Sequence, residues 1–208
     1  IRGNLLATWA GFLLASKWHI DFGIFASVTV GTALIIASGC VINNYTDRGI
    51  DKKMTRTNTR ALVTGSIPAV HALIFAALLG VAGFASILIW LNVRTALLGF
   101  IGWSVYISAY AIAKRKSSLS TVVGSIAGAV PPAAGYVAVT DRFDAAALWL
   151  FLGLVFWQMP HFYALAMRRR DDYAAAGLPV LPVRRSMRTT KFHIMAYIVA
   201  FYGAVLGL

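Results

Sequence analysis

Three oxygen-bearing side chains, those of Asn43, Asp47 and Asp51, recur at every fourth position. If one helix continues through them, each residue turns about 40° and rises about 6 Å from the one before, so all three point to one side. Two carboxylates and an amide oxygen suit a hard divalent cation, and Mg²⁺ is usually held by one or two carboxylates together with substrate phosphates. The spacing therefore predicts that these three residues bind Mg²⁺.

Basic residues follow this motif at once, namely Lys52, Lys53, Arg56 and Arg60. The planar guanidinium group of Arg can donate two hydrogen bonds to phosphate oxygens at once, and the ammonium group of Lys acts as a point charge. Acidic and basic groups side by side therefore favour a diphosphate substrate. The alternative is a solvated loop at a membrane boundary with local ion pairs. Acids are scarce in this chain, with seven Asp and no Glu, which favours a functional site.

A second polar cluster comprises residues 157–163 (Trp-Gln-Met-Pro-His-Phe-Tyr) and 168–173 (Arg-Arg-Arg-Asp-Asp-Tyr). Asp171 and Asp172 could complete a metal and diphosphate site from the opposite wall. An interfacial aromatic belt with flanking charges would give the same pattern. His161 is accordingly either a hydrogen-bonded packing residue or a ligand.

The composition places the scaffold of these motifs in a membrane. Hydrophobic residues make up 59% of the chain and charged residues 12%, against about 25% charged residues in soluble domains. A spanning helix needs roughly 20 apolar residues, and seven stretches qualify wholly or in part. They are 4–17, 22–43, 67–91, 95–113, 120–139, 145–167 and 192–208. We therefore predict an all-α polytopic membrane protein with about seven transmembrane helices in a single domain, 1–208, which looks truncated at both ends.

The distribution of charge predicts the topology. If the seven stretches alternate in direction, 16 of the 19 Lys and Arg residues fall on one side. The positive-inside rule puts that side, with both motifs, in the cytoplasm. Lys114 and Arg115, which close the fourth stretch there, are either anchors near anionic lipid or ligands of the substrate. The net charge of +12 does not indicate a nucleic-acid partner, because the basic residues lie between long apolar runs.

Small residues and prolines mark the fifth stretch. Gly124 and Gly128 have the small-xxx-small spacing that lets helix backbones approach, and Gly135 follows in the same run. Pro131 and Pro132 should kink or break this helix and free backbone carbonyls, either as a structural kink or as the wall of a cavity. The single cysteine, Cys40, allows no disulfide within the chain and is expected to be a small core residue.

At these residues the chain resembles the UbiA superfamily of intramembrane prenyltransferases, over essentially its whole length. The matching stretches are 39–48, 50–54, 124–128, 131–132, 135–136, 138–140, 157–161, 172–173 and 179–183. The Asn-x-x-x-Asp-x-x-x-Asp pattern is shared by the superfamily. The Trp-Gln-Met-Pro-His and Leu-Pro-Val stretches point to the branch that farnesylates heme.

The resemblance implies a nine-helix bundle around a central cavity, of which this chain would lack about two helices and part of a third at its C-terminus. It implies transfer of farnesyl from farnesyl diphosphate to a vinyl group of heme B, which gives heme O and diphosphate. The partners implied are lipid, heme and an isoprenoid diphosphate, with heme A synthase or terminal-oxidase assembly proteins beside them. A bacterial cytoplasmic membrane is expected rather than a mitochondrial inner membrane.

The resemblance also implies roles for individual residues. Mg²⁺ held by the first motif would neutralise the leaving diphosphate, and Asp172 and Tyr173 would close the site from the sixth helix. Gln158 and His161 would bind substrate, and His161 would contact heme by ligating iron or by a hydrogen bond to a propionate. The residues expected to bind the diphosphate are Lys52, Lys53, Arg56, Arg60, Lys114 and Arg115.

The chain departs from the superfamily at the second motif. Many members have a second Asp-x-x-x-Asp pattern, but here Ala175 and Ala176 stand four residues beyond Asp171 and Asp172. A second metal ion is therefore less expected. Three other functions stay open: a related enzyme that prenylates an aromatic or quinone precursor, a transporter or channel, and an assembly factor that carries heme.

Overall fold

The computed structural model describes all residues, 1–208, as a bundle of helices without any β-strand. Seven long helices confirm the seven predicted stretches. In chain order they are α1 (Arg2–Ser16), α2 (Phe22–Asp51), α4 (Ala69–Trp90), α5 with α6 (Val93–Val105 and Ala111–Lys116, joined by a π-helical turn at Tyr106–Tyr110), α7 (Ser120–Thr140), α8 (Ala145–Arg168) and α11 (Met187–Leu206). Three short helices lie between them: α3 (Ala61–Thr64), α9 (Arg170–Ala175) and α10 (Leu181–Arg184).

Six of the long helices are long and apolar enough to cross a membrane, counting α5 to α6 as one. The seventh, α1, has only 15 residues. The second predicted stretch extends further than expected, because α2 continues to Asp51. The whole Asn43–Asp47–Asp51 motif therefore lies on the last turns of one helix, as the spacing requires.

Three of the seven acids stabilise the end of the bundle that lies opposite this motif. Asp21 and Asp144 cap α2 and α8 by accepting hydrogen bonds from backbone N–H groups of the first turn. The N–H of Ala147 holds the pKa of the Asp144 carboxyl below its usual range. Asp141 pairs with Arg94 at 2.7 Å. The other four acids all lie at the end where α2 and α8 finish.

Glycines bring the backbones of α1 and α7 into direct contact. A Cβ added at Gly135 would collide with the carbonyl oxygen of Thr8, and one added at Gly11 would collide with that of Pro132. Such close approach of helices through small residues is common in membranes. Close backbone approach through a glycine of this run is thus confirmed at Gly135, whereas Gly124 and Gly128 face the side chains of Tyr110 and Gln158.

The central helix, α7, packs against α1, α5 and α8, and 11 of its 21 residues are buried. The prolines do not break it, since α7 runs without interruption from Ser120 to Thr140. Because proline has no N–H, the carbonyls four residues earlier, at Ala127 and Gly128, lose their helical donors. Both of those residues, and Pro131 itself, line a cavity, so the cavity-wall interpretation is confirmed.

Candidate active site

A cavity of about 430 Å³ lies between α1, α2, α5, α7 and α8. Along α5 and α6 its wall extends from Thr95 to Lys114, a length of about 28 Å at 1.5 Å per residue. Sixteen of its 29 lining residues are hydrophobic. The cavity wall therefore extends over nearly the full depth of a bilayer, and its mainly apolar lining suits a long hydrophobic ligand.

The charged end of this cavity is built from α2 and α6. The Nζ atom of Lys114 donates to Oδ1 of Asn43 at 2.7 Å and to Oδ2 of Asp47. Lys114 and Asp47 are both buried, each with 8% of its surface exposed. Lys114 thus forms one polar cluster with Asn43 and Asp47, although it lies 71 and 67 positions from them in the sequence.

Asp51 has a different cationic partner. Its Oδ2 accepts a hydrogen bond at 2.7 Å from Arg60, whose same NH1 group donates to Oδ1 of Asn44 at 3.0 Å. Thr57 donates to the backbone carbonyl of Asp51 at 3.1 Å. The loop after α2 therefore folds back over the motif and brings Arg60 to the last carboxylate.

The motif fits a divalent cation in its donor chemistry. The three side chains supply oxygens from one face of α2, and Oδ1 of Asp47 is buried without any hydrogen-bond partner. A terminal nitrogen of Arg115 lies 3.5 Å from that oxygen. Nowhere do three His, Cys or acidic side chains cluster, so a cation here would complete its shell with phosphate and water, as Mg²⁺ commonly does.

The second motif meets the first across the end of the cavity. Oδ1 of Asp172 accepts hydrogen bonds from both the backbone N–H and the hydroxyl of Thr55, each at 3.2 Å. Beneath this link, Met54 packs with Ala176 and Leu178. The structure thus tethers α9 to the loop that follows the first motif, through Thr55 and not through the motif residues themselves.

Tyr173 lines the cavity just below this tether, together with Leu178 and Val180. Asp171 is exposed and lines a shallow polar cleft on the surface. The cleft is lined by Thr55, Arg56, Arg168, Arg169, Asp171 and Asp172. Of the two adjacent acids, only Asp172 therefore touches the first motif's loop.

The remaining predicted phosphate ligands lie around the mouth and not inside it. Lys52, Lys53 and Arg56 are exposed and absent from the cavity wall. Arg115 is also exposed, and it donates to the backbone carbonyl of Thr46. Among the predicted cations, only Lys114 lines the cavity.

The two substrate-binding residues predicted on α8, Gln158 and His161, differ in their burial. Gln158 is buried and lines the cavity, where its Nε2 donates to the carbonyl of Leu154 at 3.1 Å. His161 is exposed, stacks on Trp157 with ring centroids 5.4 Å apart, and is not part of the cavity wall. Gly128 faces Gln158, and a Cβ there would collide with its Oε1.

Sequence reasoning missed the aromatic lining of the mouth. Tyr106 and Tyr110 stack with centroids 5.7 Å apart, and both line the cavity with Cys40. Cys40 is thus a cavity residue and not only a core residue. The signal available was the helical spacing of Trp103, Tyr106 and Tyr110, but the π-helical turn that places the two tyrosines has no signature in the sequence.

The family model described as "UbiA prenyltransferase family" matches residues 4–208. The chain belongs to the UbiA prenyltransferase family. Two solved structures share the fold: an apo UbiA homolog from Aeropyrum pernix K1 (TM-score 0.81, 20% identity, 98% of this chain and 77% of the other), and a structure from work on digeranylgeranylglyceryl phosphate synthase (TM-score 0.78, 19% identity, 97% and 70%).

Much closer sequence relatives of this UbiA chain are bacterial. It is 51% identical to "Protoheme IX farnesyltransferase 2" of Pseudomonas fluorescens over all of this chain and 71% of that protein. It is 48% identical to the protoheme IX farnesyltransferase of Sodalis glossinidius, over all of this chain and 70% of that protein. With six helices able to cross a membrane, the chain is a multi-pass protein of a bacterial membrane.

Proposed function

We propose that this UbiA-family chain transfers the farnesyl group of farnesyl diphosphate to a vinyl group of heme B, forming heme O and releasing diphosphate. The observation that carries the proposal is an apolar cavity whose one charged lining residue, Lys114, contacts Asn43 and Asp47 of the acidic motif. Relatives about 50% identical over the whole chain, which are protoheme IX farnesyltransferases, support the choice of both substrates.

The two parts of the donor, an apolar tail and a charged diphosphate, match the apolar length and the charged end of the cavity. The farnesyl tail lies in the apolar length of the cavity, among residues such as Ile35, Ile36 and Val130. The diphosphate lies at the cytoplasmic end, where Lys114 lines the wall and Arg60 and Arg115 lie beside the motif. Lys52, Lys53 and Arg56, exposed around the mouth, attract the anion before it enters. Asp172 and Tyr173 close the mouth from α9.

Magnesium is the cation proposed for this end, held by Asn43, Asp47 and Asp51. When bound, it supplies positive charge that stabilises the departing diphosphate. The chain's own contribution is to hold those oxygens on one rigid helix and to surround them with cations. The unpartnered Oδ1 of Asp47 supports this assignment.

The reaction balances without any redox partner. The bond between C1 of farnesyl and the diphosphate oxygen breaks, and the oxygen keeps the electron pair. The π electrons of the vinyl group form the new bond to C1, and water adds to the resulting cation with loss of a proton. The apolar wall keeps water away from the allylic carbon until the vinyl group attacks.

Heme is the partner whose position the site defines least. Gln158 presents a polar group inside the cavity and is proposed to contact the macrocycle or its substituents. His161, outside the cavity wall, would contact heme only if the macrocycle extended past α8 to the Trp157 face. Delivery of the product to heme A synthase or to terminal-oxidase assembly proteins belongs to the same proposal.

The decisive experiment supplies the purified protein in lipid nanodiscs with farnesyl diphosphate, heme B and Mg²⁺, and analyses the porphyrins by mass spectrometry. Heme O, formed only with all three present, is the expected product. Parallel reactions replace heme B with 4-hydroxybenzoate. Prenylated benzoate without heme O would reject the heme assignment while keeping the enzyme class, and absence of pyrophosphate release with either acceptor would reject the enzyme.

A further inference from the structure

The ammonium group of Lys114 occupies the place between the first two residues of the metal motif. It donates to Oδ1 of Asn43 at 2.7 Å and to Oδ2 of Asp47, and these are two of the three residues proposed to hold Mg²⁺. A divalent cation held by the same two oxygens would lie where Nζ now lies. Lys114 and the metal therefore exclude one another from this position.

The charges around the motif also oppose a free metal ion. Two carboxylates, Asp47 and Asp51, face three cations, Lys114, Arg60 and Arg115, within ion-pair distance. The cluster thus carries one more positive than negative charge. A divalent cation approaching alone meets net repulsion in a partly buried site, where screening by water is weak. A diphosphate carries more negative charge than Mg²⁺ carries positive, so the two together arrive with the opposite sign.

Lys114 is placed to move from the motif to the ligand. Its side chain belongs to the cavity wall as well as to the motif, and Nζ lies 5.1 Å from the centre of the Tyr110 ring on the cavity side. Lysine is a compact charge on a flexible stem with three donors. A small swing would bring its ammonium group onto a diphosphate oxygen at the mouth while freeing Asn43 and Asp47.

The geometry points to Lys114 as a displaceable counter-ion that keeps free divalent metal out, so that metal and diphosphate bind together. This inference rests on the proposed function. Before the donor binds, Lys114 neutralises the buried Asp47. When the diphosphate enters, Lys114 transfers to it, and Asn43 and Asp47 would then be free to hold the metal. The site then gains no tightly bound metal until the donor substrate is present.

Equilibrium dialysis with radioactive Mn²⁺ as the probe tests this in nanodiscs. The wild-type protein is dialysed against MnCl₂ alone and against MnCl₂ with farnesyl diphosphate, without heme. The variant Lys114→Met vacates the gap, and Lys114→Gln keeps a donor for Asp47 in case the methionine variant fails to fold. Lys116→Met, which removes an exposed charge two residues away, is the matched control.

The wild type and Lys116→Met are expected to retain Mn²⁺ only with farnesyl diphosphate. The Lys114 variants are expected to bind Mn²⁺ alone about tenfold tighter than the wild type or more, since one buried positive charge is gone. Wild-type protein that binds Mn²⁺ equally well with and without farnesyl diphosphate would overturn the inference while leaving the metal site intact. Absence of Mn²⁺ under every condition would instead reject the proposed metal site, and the inference with it.

Discussion

At the scale of single residues, the two carboxylate oxygens of Asp47 have different surroundings. One carboxylate oxygen is paired with Lys114, while the other is buried without a hydrogen bond. A buried acceptor without a partner is costly and rare. It lies next to Lys114, which lines the apolar cavity, and is most simply explained by a ligand that it meets during function.

Replacing Asp47 with Asn tests that charge directly. The amide keeps the size of the side chain but removes the negative charge that attracts metal and Lys114. We expect turnover to fall by roughly 100-fold or more, the loss typical when one group that stabilises developing charge is removed. Turnover is measured as pyrophosphate release, and folding by size-exclusion chromatography in detergent.

The control for this variant is Asp141→Asn at the opposite end of the bundle. Asp141 is exposed and pairs with Arg94, and exposed ion pairs contribute little to stability. Its variant should keep normal turnover. Equal losses in both variants would show that any acid matters and that Asp47 has no special role.

At the scale of elements, the sequence alone predicted the apolar length and the direction of each long helix. It also predicted that Asn43, Asp47 and Asp51 share one face of a helix. Each follows from local periodicity or from the length of an apolar run. The partner of the motif was not predictable in the same way, because Lys114 comes from α6 and reaches α2 only through tertiary packing. The sequence could say that cations surround the motif, but not which one enters it.

The uninterrupted course of α7 through Pro131 and Pro132 was likewise beyond local rules. Proline removes helical hydrogen bonds, and a break was a reasonable expectation. In the structure α1 packs directly on this part of α7, while the freed carbonyls belong to residues that line the cavity. Tertiary packing therefore keeps the helix continuous, and nothing in the residues of α7 alone indicates it.

The contact of α1 with α7 gives a prediction about stability. In Gly135→Ala the new Cβ would collide with the backbone carbonyl of Thr8, which cannot rotate away. We expect the free energy of unfolding to fall by about 1–3 kcal/mol, as for other overpacked sites. Thermal unfolding in detergent measures the change.

Gly153→Ala is the matched control for this variant, since a Cβ at Gly153 in α8 meets nothing within 4 Å. It should leave the melting temperature unchanged or raise it, because alanine favours helix over glycine by up to about 1 kcal/mol. Equal melting temperatures for the two variants would show that the close approach of the α1 and α7 backbones does not contribute to stability.

The tether between α9 and the loop after α2 gives a prediction about activity. Asp172→Asn should reduce kcat/KM, and Thr55→Val should reduce it by a smaller factor, because Thr55 donates both hydrogen bonds that position this carboxylate. The double variant should be no worse than Asp172→Asn alone, as expected for residues that act as a unit. The three variants and the wild type form one kinetic cycle.

The neighbouring acid provides the control for the cycle. Asp171 is exposed and forms no hydrogen bond with the loop, so Asp171→Asn should retain near-normal kcat/KM. Strictly additive losses in the double variant would mean that Thr55 and Asp172 contribute separately. The tether would then have a structural role only.

At the scale of the whole molecule, chemistry and structure divide between the two ends of the bundle. One end holds four of the seven acids and 16 of the 19 basic residues. The other uses its acids for helix caps and one ion pair. The charged groups proposed to bind the diphosphate therefore lie on one side of the membrane, and the positive-inside rule makes that side the cytoplasm.

This orientation can be measured with a membrane-impermeant maleimide on intact cells. In a Cys40→Ser background, which removes the only native thiol, single cysteines are placed at Leu119, between α6 and α7, and at Phe143, between α7 and α8. Both positions are well exposed, at 60% and 49%. Phe143→Cys should be labelled in intact cells and Leu119→Cys only after lysis, because the basic loops stay in the cytoplasm. The reverse pattern would place the diphosphate site outside the cell, where the cytoplasmic supply of farnesyl diphosphate does not reach, and would remove the basis for the proposed reaction.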